Sequence, residues 1–111
     1  MTVKELIDTN LFTLACEGSH TDDEITVPFC CDLLSIAMGK APEGGAWVTV
    51  MANLNTLAVA SLTDTACIIL AHGTRFDETT LAKAAEQDIT VFTTDMPVFD
   101  AALAVWKQLQ V

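Results

Sequence analysis

Positive charge is scarce in this sequence: five Lys and Arg stand against 15 Asp and Glu, for a formal charge of −10. A phosphate backbone is held by many Lys and Arg contacts, so the balance argues against nucleic acid and against an anionic membrane surface. No apolar run approaches the roughly 20 residues of a membrane span. Paired cysteines are missing as well. Cys16, Cys30, Cys31 and Cys67 contain no C-x-x-C spacing, and strand neighbours such as Cys30 and Cys31 point to opposite faces. Cys16 with His20 has no matching second pair of ligands, so neither a metal nor a disulfide is expected. Catalytic patterns are also lacking. The sequence shows no phosphate loop, paired carboxylates or metal-hydrolase motif, and His72 has no nucleophile or orienting partner in its own stretch. The expectation is a protein that is not an enzyme and carries no cofactor. Lys4, Glu5 and Asp8 fall within an amphipathic segment unlike a signal peptide, which points to the cytoplasm.

What is present is apolar. Of the 111 residues 51% are hydrophobic and 18% charged, the composition of a globular chain of one domain spanning 1–111. Its organising stretch is 65–94. Ala66 to Ala71 is an apolar run without alternation, as a strand buried on both faces requires. His72-Gly73-Thr74-Arg75 is a polar loop, and Asp77 opens a helix with Phe76 and Leu81 at the positions of a hydrophobic staple. Leu81, Ala84 and Ala85 repeat at helical spacing, and Ile89 to Thr93 is a second strand-like run. A strand, a helix and a strand at this spacing form a βαβ unit. The expected fold is therefore α/β, a three-layer domain with a mostly parallel sheet and helices on both faces.

The remainder extends the pattern. Thr2 and Glu5 make a capping box for a first helix, and Leu11 to Ala15 is read as a strand. The polar residues 17–24 read as a loop whose acids lack calcium-loop spacing. Ile25 to Cys31 is a strand whose Pro28 places it at an edge. Asp32 is expected to cap a helix with Leu33, Leu34, Ala37 and Met38 on one face, ended by Gly39. Ala46 to Met51 is a strand. Asn53 or Asn55 caps a largely buried helix reaching Asp64. Asp95 is expected to cap the last helix, with Pro97 in its first turn and Phe99, Ala102, Leu103, Trp106 and Leu109 on one stripe.

From Asp22 onward the chain resembles the DRTGG domain family. The stretches that carry the resemblance are Thr26 to Ser35, Trp47 to Val50, Asn55 to Ala60, Ile68 to Gly73 followed by Asp77, and Ile89 to Thr94 ahead of Phe99. The last is also similar to the N-terminal domain of HPr kinase/phosphorylase. The resemblance implies an α/β domain of the kind that begins HPr kinases and muramyl ligases, in which the chemistry belongs to another domain. The glycines that name the family are Val27 and Pro28 here, the preceding Arg is Asp23, and the glycine ahead of the last strand is Asp88. Without those glycines and that arginine, this stretch can neither approach nor pair with a phosphate as the family's loop can.

In an open parallel sheet, ligands bind beyond the carboxyl ends of the strands. The residues there are Asn53, His72, Gly73, Thr74, Arg75 and Thr94, and Arg75 is the only arginine. Two functions follow. One is a regulatory domain that senses a nucleotide or another phosphate-bearing, anionic metabolite at these residues. The other is a protein-interaction or dimerisation module with an unidentified protein partner or a second copy of the chain. Apolar content in so small a chain favours a homodimer, with Ile25 to Phe29 as its expected interface.

Overall fold

The structure is a computed structural model that describes residues 1–110. In chain order its elements are α1 (Val3–Thr9), β1 (Thr13–Cys16), β2 (Val27–Cys30), α2 (Leu34–Lys40), β3 (Gly45–Thr49), α3 (Leu54–Leu62), β4 (Cys67–Leu70), α4 (Glu78–Glu86), β5 (Val91–Thr93) and α5 (Val98–Leu109). The five strands form one sheet in the order β1-β5-β4-β3-β2. Strands β2 to β5 run parallel, and β1 closes one edge antiparallel to β5, with a bulge between Leu14 and Cys16.

Every residue of β3 and β4 is buried, which explains why their sequences show no alternation. Successive side chains enter different cores. Ala46, Val48, Cys67, Ile69 and Phe92 pack with Val3 and Leu6 of α1 and Ala101 and Val105 of α5. Trp47, Ile68, Leu70 and Val91 pack with Ala37 of α2, Leu57 of α3 and Ala84 of α4. The expected three-layer α/β arrangement is present, with α1 and α5 on one face and α2, α3 and α4 on the other. Among the described residues no helix is long and apolar enough to cross a membrane.

Local signals were most accurate where they act within a few residues. Thr2 and Glu5 close the capping box on α1, and Asp77 accepts from the Thr80 amide at 2.7 Å. Phe76 is buried, and Leu81 packs against the same core. Asn53, rather than Asn55, caps α3. Pro28 lies in β2 at the sheet edge, as a residue without an N–H should. Asp88 ends α4 in the left-handed region at φ 58°, where Asp is tolerated.

Other expectations require correction. The first strand is shifted to Thr13–Cys16, because Phe12 turns inward to meet Phe92 edge-on at 6.1 Å. Asp32 caps no helix: α2 begins after Leu33 without a side-chain cap, and Gly39 lies within its last turn. Of the expected α2 face, Ala37 is buried while Leu33 and Met38 are exposed. Helix α3 ends at Leu62, and Leu54 and Leu62 face solvent. Asp95 does not cap α5, whose N-cap is Pro97. The α5 stripe is also divided. Of its expected members, Ala102 and Leu109 pack against the core while Phe99, Leu103 and Trp106 are exposed, and the fully buried residues of α5 are Ala101 and Val105, outside the stripe. Within the segment Ile25 to Phe29, Ile25 is buried in the core, whereas Thr26 is exposed and Val27, Pro28 and Phe29 are half-buried.

Candidate functional site

At the carboxyl ends of the strands, the loops after β4 and β5 leave for opposite layers, toward α4 and α5. Divergence of this kind opens the ligand crevice of α/β sheets. Here it is bridged by the protein itself. The His72 amide donates to the Met96 carbonyl at 2.9 Å, and the Gly73 amide to the Thr94 carbonyl at 2.9 Å. The Val98 amide donates to His72 Nε2 at 3.3 Å. His72 and Gly73 both have positive φ, 56° and 74°, and this pair of left-handed residues aims the two amides across the gap. A Cβ on Gly73 would lie 3.2 Å from Asp95 Oδ1, so its open side is occupied by a carboxylate.

The structure thus brings His72, Gly73, Thr74, Arg75 and Thr94 together at adjacent strand ends, with Asn53 one strand away. Most of their polar groups are already in use. Asn53 Oδ1 accepts from the Asn55 and Thr56 amides at 3.0 and 3.3 Å. The Thr74 hydroxyl donates to the Ala71 carbonyl at 2.7 Å, and its amide donates to the same oxygen at 3.1 Å. Thr94 donates its amide to the Leu70 carbonyl at 2.9 Å, and its hydroxyl accepts from the Met96 amide at 3.2 Å. Arg75 is exposed, and its Nη1 donates to Thr93 Oγ1 at a long 3.4 Å.

Beside Arg75 lies a cavity of about 100 Å³ lined by Ala15, Phe76, Leu81, Val91 and Thr93. Pockets for drug-sized ligands and cofactors run to about 300–1,000 Å³, so a nucleotide does not fit within it. The local charge opposes anions too. Asp77 and Glu78 begin α4, Asp95 covers Gly73, and Asp32 stands at the end of β3. Bonding to the Thr80 amide holds the Asp77 carboxyl below its ordinary value.

The part played by Asp32 was not legible in the sequence. Its Oδ1 accepts from the buried Thr49 hydroxyl at 2.7 Å and from the Val50 amide at 2.9 Å. Trp47 Nε1 donates to the Cys31 carbonyl at 3.0 Å. Together these bonds fix the chain between β2 and α2 over the end of β3. The only local signal was an Asp closing an apolar run, which fits a helix cap equally well.

The thiols are dispersed in environment. Cys67 is fully buried, and burial pushes its pKa up to about 12. Cys30 lies at the surface, and partial desolvation of its thiol, followed by the Asp32 charge, raises its pKa. Among the described residues no group of three His, Cys, Asp or Glu is placed to hold a metal ion. No protein-family model matches this chain, and no curated protein matches it.

Proposed function

We propose that the chain is a non-catalytic, cytoplasmic interaction module that docks a protein partner through the solvent face of α5. The observation that carries this reading is the exposure of Phe99, Leu103 and Trp106, at 71%, 36% and 48%. They follow one another at i, i+4 and i+7 on one side of the helix, while Ala101 and Val105 anchor the other side to the sheet. Scattered apolar residues on a surface are ordinary, but two aromatics and a leucine in one row form the kind of patch that marks a contact site.

A photo-crosslinking phenylalanine analogue at position 99, introduced in cells, tests this. A discrete adduct is expected there, abolished by Leu103→Glu, and absent when the analogue replaces Thr79 on α4. No adduct at position 99 would rule the reading out.

A second reading, the sensing of a small anion, is favoured by one observation: the exposed Arg75 guanidinium beside Thr93 and the cavity of about 100 Å³. A phosphate or carboxylate group fits that space where a whole nucleotide does not. Calorimetry with inorganic phosphate and with adenine and uridine nucleotides tests it. If anions bind there, Arg75→Ala should cost about 1.5–3 kcal/mol of binding. No binding below about 1 mM would dismiss the site.

A further inference from the structure

The row on α5 is flanked by two charges whose spacing selects one occupant. Phe99, Leu103 and Trp106 stand at the d, a and d positions of a heptad, and this places Asp100 and Lys107 both at e. Asp100 lies in the first turn of α5 and Lys107 in the last. Together with Leu103 they line one side of a surface groove of about 530 Å³, which reaches across to Leu11 and Met96.

We infer that α5 pairs antiparallel with α5 of a second copy of this chain, around a two-fold axis. This rests on the reading of α5 as the docking face and names its occupant. In an antiparallel pair, e residues meet e residues. Asp100 therefore meets the partner's Lys107, and Lys107 meets the partner's Asp100. Leu103 packs against the partner's Trp106, and the reciprocal contact is identical, as an isologous interface requires. The alternatives lose this match. A parallel pair sets e against g, where the helix carries Ala102 and Leu109. Sliding the antiparallel pair until Phe99 meets the partner's Leu103 brings the two Asp100 carboxylates together.

The area sets the strength. With aromatic side chains presenting about 150–250 Å² each, the exposed parts of the three residues amount to on the order of 300 Å² per chain. Twice that is well under the roughly 1,200 Å² at which stable interfaces begin. The dimer is accordingly weak, with a Kd between about 10 μM and 1 mM.

Sedimentation equilibrium on the purified chain from about 10 μM to 1 mM spans that range, with thermal melts confirming that each variant is folded. The wild type should rise from monomer mass toward dimer mass. Asp100→Lys alone and Lys107→Asp alone should each weaken association at least about tenfold, because like charges then face one another. An equimolar mixture of the two variants should restore it, since each Lys again meets an Asp. A wild type that stays monomeric throughout overturns the second copy as occupant. Association of the mixture no stronger than that of either variant overturns the antiparallel pairing. A crosslinked adduct of a different protein at position 99 would leave the docking face standing while overturning the second copy.

Discussion

His72 reaches from the loop after β4 to accept the Val98 amide at 3.3 Å, and so serves as a helix cap for α5 from 26 residues away. The capping position itself is filled by Pro97, which has no side-chain donor or acceptor to offer. The histidine expected among the ligand-binding residues thus joins the βαβ unit to the helix that carries the exposed row.

His72→Ala should destabilise the chain by about 0.5–2 kcal/mol through loss of the cap alone, since His and Ala both place a Cβ at φ 56°. His72→Gly removes the same cap but relieves the backbone, and should cost about 1 kcal/mol less. Urea unfolding of both variants separates the terms. Equal losses would show that the left-handed conformation contributes nothing.

Asp32→Ala should cost about 1–3 kcal/mol, because the Thr49 hydroxyl is fully buried and would lose the acceptor of its proton. Asp32→Asn keeps an acceptor oxygen and should cost less. If Asp32 were a helix cap instead, the loss would be confined to α2. Amide exchange at Thr49 and Val50 distinguishes the two.

These two residues show where the sequence was legible and where it was not. Asp77 and Asn53 cap their own helices, and Phe76 and Leu81 pack at positions fixed by that same turn, so short windows predicted them. Asp32 and Asp95 sit in equally suitable windows. Their carboxylates lie instead against β3 and Gly73, partners that only the assembled sheet supplies. The strands of the buried centre were clear because burial on both faces leaves an unbroken apolar run. The last helix was not, because α5 is apolar on two sides. Periodicity identifies such faces but does not say which one meets the sheet. Small residues, Ala101 and Val105, allow the close approach, and the bulkier Phe99, Leu103 and Trp106 are left outside. The strand-end residues do lie at neighbouring strand ends, but their internal hydrogen bonds could not be read from residue type.

Acid should weaken the fold through Asp77 and Glu5. Both carboxyls are held below their ordinary values, by bonds from the Thr80 and Thr2 backbones respectively. A depressed folded-state pKa stabilises above the unfolded value and loses that contribution as pH falls through the folded one. Stability should therefore decline below about pH 4. Asp77→Asn keeps the cap without titrating, and its melting temperature should fall less steeply between about pH 4 and 2 than that of the wild type. An unchanged slope would remove Asp77 from the acid response.

Thiol reactivity should follow burial. Cys30 is exposed and Cys67 fully buried. In native protein, Cys30 should be alkylated first, and faster as pH rises, since only the thiolate reacts. Cys67 should be modified only after unfolding. Peptide mapping by mass spectrometry of partly labelled protein checks the order, and early labelling of Cys67 would contradict the packing of β4.

The most direct test of self-association through α5 is a dilution series of the ¹⁵N-labelled chain followed by amide and indole shifts, from about 500 down to 10 μM. The account predicts concentration-dependent shifts at Phe99, Leu103, Lys107 and the Trp106 indole, with His72 to Arg75 unmoved. Shifts gathered at His72 to Arg75, or none anywhere on α5, would contradict it.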